Sequence, residues 1–496
     1  MNSNPKIDSP GEGLDTGALL KHEDNDRTHY EAGEGLDIGA LLKQHEGRNY
    51  DLHAAHVNPV NVRTLKTIGF DRCYVRATGP YLWDVQGTKY LDMLSGYGVF
   101  GLGRNHPEVR RVLRDFLELD YPSLVKLEAP LLCGLLAEEL KKRMPTPLDM
   151  VFFTNSGAEG IETALKYARC ATRRPVILHC EKAFHGLTYG ALSINGDESF
   201  RAGFDPFLSD CRKIPFNDLE ALDRELHRGD VAAFVVEPIQ GKGVNIPSPG
   251  YLREAAKLCH QHGALYVDDE VQTGMGRTGR FLAIEHDGDV DADIVVLAKT
   301  LSGGFVPVGA VLCKQWIHEK VFSSMNRSVV HSSTFSQGSF AMAAGLAALD
   351  VIDRHRLVQQ ADSMGRLLAE GLRALVPRFE FLKEIRARGL MVGIEFGAPR
   401  SLGLKAAWSM AHALDKSLFP QAAIIPLLDK HHIITQVAGH HIDVIKLIPP
   451  LVISAEDVKW FLTAFEDVLV QLHSFPGPAW DVIVNIGKMA LTNRAR

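Results

Sequence analysis

An α/β protein is what this sequence predicts, with a large, mostly parallel sheet and a smaller α+β unit after it. Three observations carry that reading. Between about 149 and 299, short apolar runs of strand length alternate with stretches of helical period. The runs, such as Val231-Ala-Ala-Phe-Val-Val236 and Ile294-Val-Val-Leu-Ala298, are apolar throughout, as strands covered on both faces are. Beyond them come long helical patterns over 336–375, then mixed strand and helix patterns over 376–470.

Residues 1–50 form a separate segment with ten acidic and five basic residues and few large apolar ones. Gly11-Glu-Gly-Leu-Asp-Thr-Gly-Ala-Leu-Leu-Lys21 recurs there as Gly33-Glu-Gly-Leu-Asp-Ile-Gly-Ala-Leu-Leu-Lys43. Two copies this short are not a stacked repeat. They read as a disordered, duplicated tail, or as a bivalent docking peptide whose duplication raises avidity.

Residues 51–105 belong with the smaller unit, and the chain is expected to become structured from about 68. Cys73–Asp84 and Lys89–Asp92 flank Val-Gln-Gly87 as a hairpin, and Ser95–Gly103 is a glycine-dense loop. Residues 106–375 are the large unit. Helical spacing covers 108–119 and 128–143, and Asp149-Met-Val-Phe-Phe153 is a strand. Thr154-Asn-Ser-Gly-Ala-Glu159 then opens a helix, where free backbone N–H groups and the helix dipole favour an anion. Strands at 176–179, 231–236, 264–267 and 294–298 follow, with helices between. Residues 376–496 complete the smaller unit, and the stretch after about 474 is peripheral.

Composition narrows the class. The chain has 496 residues, 46% hydrophobic and 23% charged, with a net charge of −6, which gives no reason to expect nucleic-acid binding. No run approaches the roughly 18 apolar residues of a membrane span. The polar, acidic N-terminus is unlike a secretory signal. Seven scattered cysteines without a CxxC pair suit a reducing, cytoplasmic setting. His431-His432 and His440-His441 lack the partner cluster of a metal site, so no metal is expected.

Ligands of such sheets sit beyond the carboxyl ends of the strands. Ser156, Phe184, Glu237, Asp269 and Lys299 all fall there. A lysine directly after a buried strand is costly unless its amine is used. Either it snorkels to solvent, or it forms a Schiff base with a carbonyl. A phosphate turn, an aromatic, two carboxylates and a lysine together suit pyridoxal 5′-phosphate. That cofactor needs an amine, an acid at the pyridine nitrogen, a phosphate cradle and a ring sandwich.

Tyr266-Val-Asp-Asp-Glu-Val-Gln-Thr-Gly-Met-Gly-Arg-Thr-Gly-Arg280, with Lys299-Thr-Leu-Ser-Gly-Gly304, resembles the signature of class III aminotransferases, in the ornithine and omega-aminotransferase branch. The resemblance runs from about 68 to 470. It includes Tyr81–Asp84, Asn155–Glu159, Phe184–Gly186, Val236–Gly241, Thr334-Phe335 and Pro449–Leu451. It implies a fold type I homodimer with active sites at the subunit interface. It also implies Lys299 as the catalytic lysine and Asp269 at the pyridine nitrogen. Ser156, Gly157 and Ala158 would bind phosphate, joined by Thr334 from the other subunit; Phe184 and His185 would lie at the ring, and Gln272 near its hydroxyl. The activity implied is ping-pong transfer of an amino group from a donor amine to an oxo acid or aldehyde.

The sequence departs from that family in places. Where amino-acid-specific members carry an arginine for the substrate carboxylate, this chain has Lys446, one mobile charge instead of a fork. Lys446 and Glu237 are expected to form an adjustable gate favouring amine or ω-amino donors, with Tyr97 facing the substrate. Ser332–Gln337 replaces a glycine-rich loop, which puts the place of Thr334 in question. A decarboxylase or aminomutase could use the same parts, and a non-catalytic partner protein could act through its tail alone. The Leu-Asp-Ile-Gly-Ala-Leu core of that tail looks like the cargo peptides that address enzymes to encapsulin shells.

Overall fold

The computed structural model describes residues 35–125, 127–414, 418–474, 477 and 480. Its centre is a seven-stranded sheet in the order Met150–Thr154, Gly309–Cys313, Ile294–Leu297, Leu265–Asp269, Val231–Val236, Val176–Cys180, Cys211–Ile214. The last five strands are parallel. Gly309–Cys313 runs antiparallel to both its neighbours.

Side chains alternate between two cores, as the pleat requires. Leu178, Phe234, Tyr266 and Val295 face one side. Ile177, Val235, Val267 and Val296 face the other, where the helix Gly157–Thr172 buries Ile161, Ala164, Leu165 and Ala168. Burying each large apolar side chain contributes roughly 1.5–3 kcal/mol. Helix and sheet meet closely at Gly160, where an added Cβ would stand 2.5 Å from Val296 Cγ1.

Two smaller sheets flank this one. Leu382–Arg388, Met391–Phe396, Val444–Leu447 and Gln436–Val437 form an antiparallel sheet. Tyr74–Thr78, Tyr81–Asp84 and Lys89–Asp92 form the other, completed by Ile433–Ile434 in parallel with Lys89–Asp92.

Several expectations are corrected. The run Cys73–Asp84 is two strands, because Gly79-Pro80 turns the chain, with Gly79 at φ 53°. Two strands escaped the pattern. Cys211-Arg-Lys-Ile214 is an edge strand paired on one side only, so its sequence is half polar. Gly309–Cys313 is short and opens on a glycine. Residues after 474 are not all peripheral: Trp480 is buried against Phe381 and Phe419, and its Nε1 donates to Leu472 O at 3.0 Å.

The first tail repeat, residues 11–21, lies outside the described residues. The second is not structureless: Ile38–Gln44 is a helix, capped by Asp37, which accepts from Ala40 N at 3.0 Å. Its apolar side chains Leu36, Ile38 and Leu42 stay exposed. Helices Asn49–His56 and Pro59–Thr67 follow, and Tyr50 anchors them by donating its hydroxyl to Phe70 O and Arg72 O.

Candidate active site

The carboxyl ends of the parallel strands bring most of the named residues together. Ile294–Leu297 ends in Ala298, and a single turn of 3₁₀-helix, Lys299–Ser302, begins with Lys299 in the left-handed region at φ 49°. Such a backbone is strained for a residue with a Cβ. Gly98 packs beside the lysine, and a Cβ there would stand 3.8 Å from Lys299 Cδ. Burial lowers the pKa of Lys299, opposed by the carboxylates of Asp269 and Glu237 and assisted by the charge of Arg277.

Asp269 ends the neighbouring strand and is 4% exposed. Its Oδ2 lies 2.6 Å from His185 Nδ1, and its Oδ1 accepts from Val271 N at 3.1 Å. Burial works against a charged His185, but the bond to and charge of Asp269, with the charge of Glu237, raise its pKa. The other ring nitrogen of His185, Nε2, is buried without a partner.

Glu237 follows the strand Val231–Val236. One carboxylate oxygen accepts from Phe184 N at 3.0 Å and the other from Gly241 N at 2.9 Å. Burial raises its pKa, moderated by His185 and augmented by Asp269. The Phe184 ring stays partly exposed and meets Phe200 edge-on at 5.3 Å.

Lys446 comes from the antiparallel sheet and is 6% exposed. Its Nζ donates to Gly241 O at 3.0 Å and to Gln272 Oε1 at 3.4 Å, and lies 5.8 Å from the centre of the Tyr97 ring. Burial, with the nearby charge of Lys299, pushes its pKa down to about 8 against the pull of Glu237. Gln272 in turn donates to Tyr97 O at 3.0 Å. Lys446 and Glu237 are linked through the backbone of one residue: Gly241 donates its N–H to the acid and accepts from the lysine at its C=O.

The anion turn is also in place. Ser156 caps the helix Gly157–Thr172, with its hydroxyl oxygen accepting from Glu159 N at 3.2 Å. The N–H groups of Gly157 and Ala158 point out of the helix's first turn. Gly157 must be a glycine, since a Cβ would stand 2.7 Å from Val271 Cγ1. Gly186 must be one too: its Cβ would stand 2.6 Å from Ala158 Cβ, so the turn sits directly against Phe184-His185-Gly186. Thr334 lies exposed on the loop 332–337, which Asn155 Nδ2 ties to the anion turn by donating to Ser333 Oγ at 2.8 Å.

Two contributors were not singled out in the sequence. Gly241 was hidden inside a motif whose acid drew attention, though a glycine four residues after a buried glutamate marks a turn closing on it. Arg277 is 2% exposed and donates to Leu390 O at 3.3 Å and to Pro449 O, tying the turn after Asp269 to the turn after Lys446. Burial pushes its pKa down to about 9. Of the histidine pairs, His431 bonds Asp467, His432 meets Tyr90 edge-on and His440 bonds Ser199.

A half-buried lysine facing a histidine-held aspartate, with a helix N-terminus alongside on a doubly wound sheet, defines a fold type I pyridoxal-phosphate site. The class-III aminotransferase profile matches residues 66–469, and the chain belongs to that family. Aminotransferase PigE of Serratia sp. (strain ATCC 39006) is 36% identical over 451 residues, which are 84% of this chain and 53% of that protein. The chain thus spans about half the length of this curated relative. Among solved structures, the ornithine aminotransferase of Toxoplasma gondii superposes with a TM-score of 0.72 at 30% identity, covering 81% of this chain and 90% of that one. The acetylornithine aminotransferase of Elizabethkingia anophelis gives 0.65 at 30%, covering 80% and 94%. A transaminase from the marine bacterium Virgibacillus gives 0.72 at 25%, covering 85% and 94%.

Class III aminotransferases depend on pyridoxal phosphate, and the residues present fit it. The site has a desolvated amine, a buried carboxylate already bonded on its outer side, and two amide N–H groups left over by the helix cap. The glycines admit no side chain where the turn meets Val271 and where it meets Phe184–Gly186.

Proposed function

We propose that this chain moves an amino group from an amine or ω-amino donor to an oxo acid or aldehyde, using one site for both half-reactions. The observation that carries the reading is Lys299 emerging, desolvated, beside the Asp269–His185 pair. Bound pyridoxal phosphate supplies an aldehyde that captures amines and a ring that accepts electrons from the carbon losing its proton.

The chain supplies the rest. Lys299 would hold the cofactor through its amine and, once free, would move the proton off the carbon bearing nitrogen and back. Burial lowers its pKa, toward the neutral form that acts as a base. Asp269, fixed by His185, would stabilise the protonated pyridine nitrogen. Gly157 and Ala158 would donate N–H groups to the phosphate beside Ser156, joined by Thr334 of a second copy. Phe184 would lie on the ring, and Gln272 near its hydroxyl.

The substrate reading rests on Lys446 and Tyr97. The Lys446 ammonium is engaged by Gly241 O and Gln272, and offers a carboxylate one charge instead of a fork. Donors without an α-carboxylate are therefore favoured. Borohydride reduction of the holoenzyme and peptide mapping test the site: the label falls on Lys299, and a label elsewhere defeats the reading. A donor panel tests the substrate: brisk turnover of α-amino acids with negligible turnover of diamines and ω-amines defeats that part alone.

The working unit is a homodimer. Leu119, Leu127, Leu131, Met325, Val329 and Phe335 are exposed on two segments that meet where Ser339 N bonds Ser123 Oγ at 3.1 Å. Light scattering at twice the 54.7 kDa chain mass is the expected result. A cytoplasmic location fits the seven cysteines, all free. Among the described residues no helix is long and apolar enough to cross a membrane. The capped helix Ile38–Gln44, with its apolar side chains exposed, supports the docking role for the tail, with an encapsulin-type shell as its partner. Deleting residues 1–48 should abolish co-assembly with such a shell and leave turnover intact.

A further inference from the structure

The candidate active site lies at the carboxyl ends of the parallel strands of the central sheet. At the opposite edge of the same sheet, two helices end side by side. Leu219–Leu226 leads into the strand Val231–Val236, and Tyr251–Gln261 leads into Leu265–Asp269. The first residue past each helix is a histidine, His227 and His262, and their ring centres are 4.5 Å apart. Asp223, one turn before His227, sets its carboxylate between them. Its Oδ1 is 3.3 Å from His227 Nδ1 and 3.2 Å from His262 Nε2.

We propose that Asp223, His227 and His262 form a binding site for a divalent transition-metal ion of the zinc type, separate from the catalytic centre. The three ligand atoms all lie within 4.8 Å of one another. Two imidazoles and a carboxylate are the donor set such ions take, with water as fourth ligand. Bonds of about 2.0–2.1 Å to a tetrahedral ion place neighbouring ligand atoms ~3.3–3.4 Å apart. The two measured separations match that edge. A charged imidazole–carboxylate hydrogen bond closes to about 2.7–2.9 Å, as His185 and Asp269 do elsewhere in this chain.

The surroundings favour a cation. Both histidines sit at helix C-termini, where the negative ends of two helix dipoles converge. Of the arginines around the site, Arg174 turns its Nη1 to backbone oxygens, His262 O at 2.6 Å and Val231 O at 3.2 Å, and Arg228, next to His227, pairs with Glu225 at 3.1 Å. Leu222, Leu226, Ala255 and Cys259 are buried beneath, so packing fixes the two helices. The His262 side chain is 22% exposed and that of Asp223 40%, which leaves an open side for water. His227 Nδ1 also lies 2.9 Å from Asp223 O, so an incoming ion displaces a proton there. Bound, the ion would clip the two helices at the edge remote from the substrate and leave turnover untouched.

The test uses untagged holoenzyme stripped with a chelator and then titrated with Co²⁺ and with Zn²⁺. The expected result is one equivalent per chain, visible d–d absorption of four-coordinate cobalt, and its loss on adding zinc. D223N and H262Q should each weaken binding at least tenfold while keeping the parent turnover and cofactor spectrum. The same affinity in both variants, no uptake, or a thiolate charge-transfer band marking the cysteines as the binders would each overturn the proposal.

Discussion

Replacing Lys446 by methionine tests whether the site holds an ammonium that the fold disfavours. Burial and the charge of Lys299 bring the Lys446 pKa from 10.5 down to about 8. At roughly 1.36 kcal/mol per pKa unit, keeping the amine charged costs the folded chain on the order of 3 kcal/mol. Below about pH 8 both folded and unfolded chains are protonated, so the whole cost is present. Between there and 10.5 the unfolded chain binds more protons, and stability rises with pH. By pH 9.5 about 2 kcal/mol of the cost is recovered. Lys446→Met removes the cost at every pH, at the expense of leaving Gly241 O and Gln272 Oε1 short of a donor, a loss of about 1 kcal/mol each. Urea unfolding of both proteins in their cofactor-free form at pH 7.5 and 9.5 measures this. The stability of the variant minus that of the parent should fall by about 2 kcal/mol between the two conditions. A difference that moves by less than about 0.5 kcal/mol, the usual error of such comparisons, would refute the buried charge.

Other outcomes follow from the same geometry. Gly241→Ala puts a Cβ 2.5 Å from Gln272 Oε1 and 3.3 Å from Glu237 Oε1. It should lower kcat/KM for amine donors at least ~10-fold, read by steady-state kinetics. His185→Leu strips a hydrogen bond from the buried Asp269 carboxylate and should destabilise the chain by about 2 kcal/mol in urea unfolding. Lys446→Arg restores a bidentate fork and should shift the kcat/KM ratio of α-amino acids to diamines about 10-fold toward the amino acids.

Much of the architecture was legible because strands buried on both faces leave continuous apolar runs. Val231–Val236 and Ile294–Leu297 are such runs, and the structure places them side by side with Leu265–Asp269 between. Cys211–Ile214 was not legible, since an edge strand need not be apolar. The repeat's helix was missed because seven residues with no buried side chain leave no core-facing stripe to detect. At the site, side-chain identity gave the members, and strand ends gave their common edge. What the one-dimensional pattern did not hold was connectivity. That Asp269 bonds His185, or that Lys446 reaches Gln272, depends on side-chain directions fixed by packing across 84 and 174 residues of chain.

Gly241 couples positions 237 and 446, its N–H held by one side chain and its C=O by the other. A substitution at either end shifts the backbone on its side of the Gly241 Cα, so its effect on the other end arrives without any direct touch. Substrate range in this lineage should therefore drift by paired changes, and single replacements at either position should show strong epistasis in a double-mutant cycle. Efforts to redirect the enzyme toward new amines would do better to vary positions 237, 241 and 446 as one block.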